Sequence, residues 1–442
     1  MPYISHTKED TDHMLDAIGI SAIEDLFDAV PQHLLKKMEE FDLPKGLSEQ
    51  ETRKKMTQIA RKNKNPELSF VGGGYYQHYL PSHVRHLAGR SEFYTAYTPY
   101  QPEISQGILQ SIFEYQTMIT RLTAMDATNA SMYDGSSASG ETCFMASNIT
   151  GRKKILVLRS VHPEYREVMK TYCWAKGLKI EEVPFDMETG RVDFQKLKDS
   201  LTDEVAGVFV QSPNFFGTVE DIMAISELAH EKGALSIQMI AEGISLGLLK
   251  PPGEMGADIA VGDGQSFGLP ISGGGPSFGF IATKEKYIRQ LPGRIVGETE
   301  DSDGKKAYVL TLQAREQHIR REKASSNICS NQAWCALHAV IYLATLGKNL
   351  RKLAEINHQN ALFLQRSLTK KNSWKRIFSA PFFNEFVVDV GNAKGVLSEL
   401  RTRDIGGGID LGKLYPELEG KLLVCATEIH SGEDVEKYVK GV

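Results

Sequence analysis

The sequence lacks the features that mark membrane, secreted and nucleic-acid-binding proteins. No run of about 18 apolar residues occurs, so no membrane-spanning helix is expected. The amino terminus is polar and acidic where a signal peptide needs a basic start and an apolar core, which predicts a cytoplasmic protein. A formal net charge of -5 leaves no basic field, so nucleic acid is not an expected partner.

Cysteines are few and scattered. The five thiols form no C-x-x-C pair, and an odd number suits a reduced compartment better than a disulfide framework. We interpret all of them as ordinary thiols: Cys143, Cys173, Cys329, Cys335 and Cys425. No H-E-x-x-H pattern accompanies the histidines, so no metal site is predicted.

The 442 residues, 41% of them hydrophobic and 24% charged, suit a folded protein of two or three domains. Residues 1–65 are predicted to form a helical arm, with capping boxes at Ser21-x-x-Glu24 and Ser48-x-x-Glu51. Residues 66–330 are predicted to form a large domain. Residues 331–442 begin with a long helical pattern, over 331–368, and are predicted to form a smaller α+β domain.

Within the large domain, apolar β-branched runs alternate with amphipathic stretches, which predicts a mostly parallel sheet covered by helices. The predicted strands are Lys154–Arg159, Lys179–Pro184, Val205–Gln211, Ala234–Ile240, Asp258–Gly262 and Phe278–Thr283. The predicted helices between them are Pro163–Lys176, Val192–Leu201 and Glu220–Lys232.

Ligands of such sheets bind beyond the carboxyl ends of the strands. The segment Tyr133–Glu141 contains Ser136 and Ser137 before a helix, and it either cradles a phosphate or simply caps that helix. The segment Gly262–Pro276 is dense in glycine and lets backbones approach closely; a tight crossover between strands is the alternative.

These segments in this order resemble the large domain of fold-type I pyridoxal-phosphate (PLP) enzymes, which have the aspartate aminotransferase-like α/β fold. In detail the chain is similar to the P-protein family of the glycine cleavage system over nearly its whole length. The most specific matches are Phe93–Glu103, Gly262–Gln265 and Arg315–Cys329.

One departure from the family pattern concerns the lysine that forms the aldimine. Alignment on Phe267 and Pro270 places Gln265 at that position, and no lysine occurs between Lys250 and Lys284. An amide cannot form a Schiff base. The pattern therefore resembles the alpha subunit of a two-subunit P-protein, with no cofactor covalently bound and with PLP on a lysine-bearing beta subunit.

The resemblance implies a glycine dehydrogenase that decarboxylates glycine and passes the aminomethyl group to the lipoyl arm of the H-protein. It implies a heteromer with the beta subunit, as a dimer of heterodimers, and the T- and L-proteins as further components. It also implies a vestigial cofactor pocket at Ser136, Ser137, His162 and Gln265. His162 stands where this fold stacks a ring on the cofactor, and without cofactor we expect it to be structural.

The segment Tyr94–Gln101, the tyrosine loop, is the candidate contributor to the partner's active site, through Tyr94, Tyr97, Thr98, Tyr100 and Gln101. The alternative is that these side chains only pack at an interface. Other hypotheses are a purely structural subunit, a complete enzyme using Lys250, and a non-enzymatic module that binds a phosphorylated ligand at Ser136–Ser139.

Overall fold

The computed structural model describes residues 6–39, 44–328, 332–371 and 374–442. The chain divides into two compact units, Met1–Asn65 and Pro66–Val442. Cys329 and the predicted domain boundary at 330–331 lie outside the described residues, and that boundary stays a prediction.

The first unit is helical, with α1 Lys8–Ile18, α2 Gln32–Glu39 and α3 Glu49–Ala60. The predicted capping box of Ser48 and Glu51 is confirmed at the start of α3. The predicted box at Ser21 is wrong, because the Asp25 carboxylate accepts hydrogen bonds from the backbone N–H groups of Ser21 and Ala22 and a short 3-10 turn begins at Ile23. Neither α1 nor α3 has a buried residue.

The second unit contains the strands and the remaining helices. The strands are β1 Leu68–Ser69, β2 Ala127–Thr128, β3 Lys154–Leu158, β4 Lys179–Val183, β5 Val205–Gln211, β6 Leu235–Ile240, β7 Ile259–Asp263, β8 Gly279–Thr283, β9 Ile295–Glu300, β10 Lys306–Thr311, β11 Lys375–Arg376, β12 Glu385–Asp389, β13 Ile405–Gly406, β14 Ile409–Asp410 and β15 Lys421–Cys425. The helices are α4 Ser82–Ala88, α5 Gln106–Thr123, α6 Gly135–Thr150, α7 Pro163–Lys176, α8 Phe194–Ser200, α9 Ile222–Glu231, α10 Gln317–Arg320, α11 Ala333–Leu346, α12 Leu350–Lys371, α13 Ala393–Thr402 and α14 Gly432–Lys440.

The main sheet has seven strands in the order β2-β8-β7-β6-β5-β3-β4. Strands β4, β3, β5, β6 and β7 are mutually parallel, whereas β8 runs antiparallel to β7 and to β2. Every residue of the central strand β5 is buried, which suits a strand covered by helices on both faces. The predicted mostly parallel α/β fold is confirmed.

The carboxyl-terminal part forms a second sheet of four strands, β11-β12-β15-β14. The long helical pattern predicted over 331–368 forms two helices, α11 and α12, which are separated at Gly347 by a backbone conformation of φ 48° and ψ −125°. Residues of α11 share a buried cluster with Ile240 and Phe280 of the main sheet. Ile405 and Gly406 pair in parallel with Leu68 and Ser69.

Among the described helices, none combines the length and the apolar character needed to cross a bilayer.

Candidate functional site

The amino terminus of α6, where the sequence predicted a phosphate cradle or a cap, is occupied by the chain's own carboxylates. Asp134 is the N-cap, and its Oδ1 accepts from the Ser137 backbone N–H at 2.7 Å and from the Ser136 hydroxyl at 2.8 Å. The Gly135 N–H donates to Asp263 Oδ2 at 3.0 Å. Helix amino termini favour negative charge, and here side chains supply it.

Asp263 ends strand β7 and joins the cradle to Gln265. Its Oδ1 accepts from the Gln265 backbone N–H at 2.8 Å and from the Ser277 hydroxyl at 2.6 Å. Burial raises the pKa of the Asp263 carboxyl to about 6, against the hydrogen bonds from Ser277, Gly135 and Gln265, which lower it. Asp263 is therefore a buried carboxylate bonded to the first N–H group of α6.

The Gln265 side chain, at the position of the family lysine, is fully engaged with backbone. Its Oε1 accepts from the Tyr76 N–H at 2.9 Å, and its Nε2 donates to the carbonyl oxygens of Tyr76 at 3.1 Å and Leu269 at 2.8 Å. Only 2% of the residue is exposed. The amide therefore holds the segment Gly72–Leu80, which we call the Gly72–Leu80 loop, against the end of β7.

His162 follows β3 and lies under the same loop. Its Nε2 is 2.7 Å from the Gly73 carbonyl oxygen, and its Nδ1 accepts from the Glu164 N–H at 3.2 Å, which makes His162 the N-cap of α7. Burial lowers the pKa of this imidazole, in keeping with a neutral ring that donates from Nε2 and accepts at Nδ1. Its ring packs against Phe215 at a centroid distance of 4.9 Å.

Glu242 belongs to a buried ion cluster. His78 of the Gly72–Leu80 loop lies between two carboxylates, with Nε2 3.1 Å from Glu242 and Nδ1 2.9 Å from Glu428. Burial alone would lower the pKa of His78, but the two glutamates raise it to about 10. Glu242 also accepts from the Asn384 amide at 3.1 Å. Its carboxylate is thus satisfied within the chain.

A second carboxylate holds the other side of the loop. Glu385 of β12 accepts from the Gly73 N–H at 2.6 Å and from the Tyr76 hydroxyl at 2.8 Å. Burial raises the pKa of Glu385 to about 7. The Gly72–Leu80 loop is therefore hydrogen-bonded both to Gln265, at the end of the main sheet, and to Glu385 of the carboxyl-terminal sheet.

The tyrosine loop lies on the surface and has different partners. Tyr94, Tyr97 and Tyr100 are 62%, 86% and 51% exposed. The Tyr100 hydroxyl accepts from Arg294 at 2.8 Å, and its ring lies 5.8 Å from that of His318. Thr98 is half-buried and Gln101 is exposed.

A mainly apolar cavity of about 480 Å³ opens beside this loop. It is lined by Phe93, Tyr94, Ala96, Tyr97, Trp334 and Leu337, among others.

The structure thus brings Ser136, Ser137, His162 and Gln265 into one connected region through Asp263 and the Gly72–Leu80 loop. The Tyr100 side chain of the tyrosine loop instead contacts Arg294 and His318. This region does not fit PLP as a fold-type I enzyme holds it. Residue 265 offers no amine, Gly135 N–H is bonded to a carboxylate, and the Gly72–Leu80 loop lies over His162. Within the described ranges, no group of three or more His, Cys, Asp or Glu side chains is arranged to hold a metal ion.

Sequence reasoning missed the residues that fill this region. Asp263 stands inside the motif that drew attention to Gln265, so a carboxylate two residues before the lysine position was a usable indication. Nothing in the sequence indicated Glu385 and Glu428, because each contacts a residue of the Gly72–Leu80 loop that lies more than 300 residues away in the chain.

Comparison with known proteins agrees with this fold. The family model described as glycine cleavage system P-protein matches residues 1–441. A curated relative from Desulfitobacterium hafniense, named "probable glycine dehydrogenase (decarboxylating) subunit 1", is 49% identical, with 100% of this chain and 99% of the relative covered. A second relative of the same name, from Carboxydothermus hydrogenoformans, is 48% identical, with 100% of this chain and 99% of the relative covered.

Among solved structures, an inhibitor-bound glycine decarboxylase (P-protein) of the glycine cleavage system superposes with a TM-score of 0.91 at 42% identity, covering 100% of this chain and 99% of that one. A sphingosine-1-phosphate lyase from Burkholderia pseudomallei shares the fold, with a TM-score of 0.67 at 15% identity. The superposition covers 91% of this chain and 92% of the lyase. The chain belongs to the glycine cleavage system P-protein family.

Proposed function

We propose that this chain is the alpha subunit, without the lysine, of a two-subunit glycine dehydrogenase. With a lysine-bearing beta subunit it would decarboxylate glycine and transfer the aminomethyl group to the lipoyl arm of the H-protein. The observation that carries the proposal is Gln265, which stands at the family's lysine position with its amide fully bonded to backbone. Full-length similarity to relatives named subunit 1 supports it.

In this proposal PLP is held by the beta subunit, where it would supply the electron sink for decarboxylation. The alpha chain supplies no amine for that chemistry. It supports the beta subunit by assembly, in the cytoplasm, as a heteromer that also works with the T- and L-proteins.

The tyrosine loop is the part of this chain that we assign to the partner's active site. Tyr94 and Tyr97 are exposed beside an apolar cavity, as expected of aromatic side chains that meet another surface. Tyr100 is held by Arg294, which keeps one end of the loop in place. A phenol in such a position can bind a phosphate or a carboxylate across an interface.

The first experiment expresses this chain alone, the beta subunit alone, and both together. Cofactor absorbance and glycine–bicarbonate carbon exchange are measured for each. The proposal expects a colourless, inactive alpha chain and a yellow, active pair. A yellow, active alpha chain alone would refute it and would indicate a complete enzyme.

A second experiment separates a contribution to the site from a purely structural role. Tyr97→Phe and Tyr94→Phe each remove one hydroxyl and keep the ring, so assembly should survive. If either phenol contacts substrate or cofactor, exchange activity of the assembled pair falls by about tenfold or more, the cost of one lost polar contact to a charged group. Unchanged activity in both variants would leave only the structural role.

A further inference from the structure

The Gly72–Leu80 loop fills the region that a cofactor would need. Tyr76 is 3% exposed; its backbone N–H donates to Gln265 Oε1, and its carbonyl oxygen accepts from Gln265 Nε2. Its hydroxyl donates to Glu385 on the opposite side at 2.8 Å. Gly74 and Tyr76 are thus the buried part of the loop at the end of the main sheet, whereas Gln77 and Tyr79 are exposed.

Gly74 shows how closely the loop approaches the ring position of the pocket. Its φ is 107°, and a Cβ placed on it would lie 2.8 Å from His162 Cδ2. Such a distance is a steric overlap, and positive φ disfavours other residues. The loop backbone therefore lies in van der Waals contact with the imidazole on which this fold would stack a cofactor ring.

Gln265 has the hydrogen-bonding groups that this arrangement requires. An amide both accepts from the Tyr76 N–H and donates to the Tyr76 carbonyl, whereas an ammonium has no acceptor. A lysine here would leave a buried backbone N–H without its partner, which is costly. Gln265, which cannot form an aldimine, is thus also the residue that holds the Gly72–Leu80 loop in place.

From these contacts we infer that the cofactor pocket of this chain has been converted into a self-filled structural site. Asp263 occupies the phosphate cradle, and Gln265 fastens the Gly72–Leu80 loop in the place of the cofactor. Gln265 is a positioning residue for this loop. Restoring lysine at position 265 therefore does not restore cofactor attachment, and it loosens the loop. The inference deepens the proposed function, because it explains why this subunit carries no cofactor.

The test uses the full-length chain with Gln265→Lys. The variant is incubated with PLP and reduced with borohydride, and residue 265 is examined for a pyridoxyl adduct by peptide mass spectrometry. The lysine-bearing beta subunit is the positive control for the chemistry. Hydrogen exchange is measured in parallel for the amides of residues 73–80.

We expect no adduct at residue 265 and at least about tenfold faster exchange of the Tyr76 amide, because its acceptor is lost. Gln77→Lys is the matched control: it places the same charge in the same loop, on a side chain that is exposed. It should leave exchange at Tyr76 unchanged. A stoichiometric adduct on the new lysine of the Gln265→Lys variant, or unchanged exchange at Tyr76 in that variant, would overturn the inference.

Gln265→Glu is the second variant for the hydrogen-exchange measurement, used if the Gln265→Lys variant does not fold. Glutamate keeps an acceptor for the Tyr76 N–H but places a carboxylate against the carbonyl oxygens of Tyr76 and Leu269. Faster exchange over residues 73–80 supports the inference, and wild-type exchange refutes it. These readouts need no partner subunit, so a failure here is distinguishable from a failure of the glycine exchange assay.

Discussion

Replacing His78 with glutamine tests the buried charges that hold the Gly72–Leu80 loop. The His78 side chain is 1% exposed, with one ring nitrogen 3.1 Å from Glu242 and the other 2.9 Å from Glu428. Glutamine keeps hydrogen-bonding capacity but cannot carry a proton. The substitution therefore leaves two carboxylates facing a neutral group in the interior.

The magnitude follows from the raised pKa. A histidine whose pKa rises from 6.5 to about 10 on folding contributes about 4 kcal/mol to the free energy of unfolding at pH 7. The same relation gives only about 1 kcal/mol at pH 9. Removing one partner from a buried ion pair commonly costs about 3–5 kcal/mol, in agreement with the first figure.

The direction of the pH dependence is set by the sign of the shift. Since the folded-state pKa of His78 lies above the unfolded value, its contribution is complete below about pH 6.5 and is lost as the pH rises through about 10. The difference in stability between the wild type and His78→Gln should therefore be large at pH 7 and much smaller at pH 9.

Urea unfolding at pH 7 and pH 9, followed by circular dichroism, measures both values. His83→Gln is the control, because His83 is an exposed histidine whose Nε2 lies 2.8 Å from the Thr345 hydroxyl. It should change stability by less than about 0.5 kcal/mol. A His78→Gln loss below about 1 kcal/mol at pH 7, or an equal loss at both pH values, would refute the charged-histidine interpretation.

Three further changes probe other contacts. Glu385→Gln should raise stability at pH 8 by about 1–3 kcal/mol, because a carboxyl whose pKa is raised to about 7 opposes folding when ionised. The gain should vanish near pH 4, and urea titrations at both pH values measure it. Gly217→Ala should lower the melting temperature much more than Gly304→Ala, since φ is positive at both but only at Gly217 would the Cβ overlap a backbone oxygen; equal losses would contradict this. Ser431→Ala removes the N-cap of α14 and should cost about 1 kcal/mol in chemical unfolding; no loss would show that the cap is dispensable.

Local sequence patterns predicted most of the main sheet and its helices. Val205–Gln211 is a continuous apolar run and forms a strand with those bounds, and Pro163–Lys176 forms a helix with those bounds. One error occurred where a nearby group competes with the expected one. A capping box of Ser21 and Glu24 was predicted, but it is Asp25 that accepts hydrogen bonds from the backbone N–H groups of Ser21 and Ala22.

The candidate site was predictable only in the part that is local in sequence. Gln265 was found because one residue type decides whether a Schiff base can form. Its partner Tyr76 is separated from it by 189 residues. No periodicity or motif in a single sequence indicates which buried backbone group a distant amide will bind, because that depends on how β7 and the loop meet in the folded chain.

The contacts at this site also explain why a single substitution would not restore a cofactor pocket. A functional pocket would need an amine at residue 265, a free N–H at Gly135 and space above His162, and each is removed here by a different residue. Asp263 is bonded to Gln265, and Gln265 is bonded to the loop that contacts His162, so substitutions of these residues should not add independently. Restoring one group leaves the others in place and also removes a bond on which the loop depends. On the inference drawn above, the same contacts hold the subunit and exclude the cofactor, and the contribution to catalysis that we propose for this chain rests on the tyrosine loop.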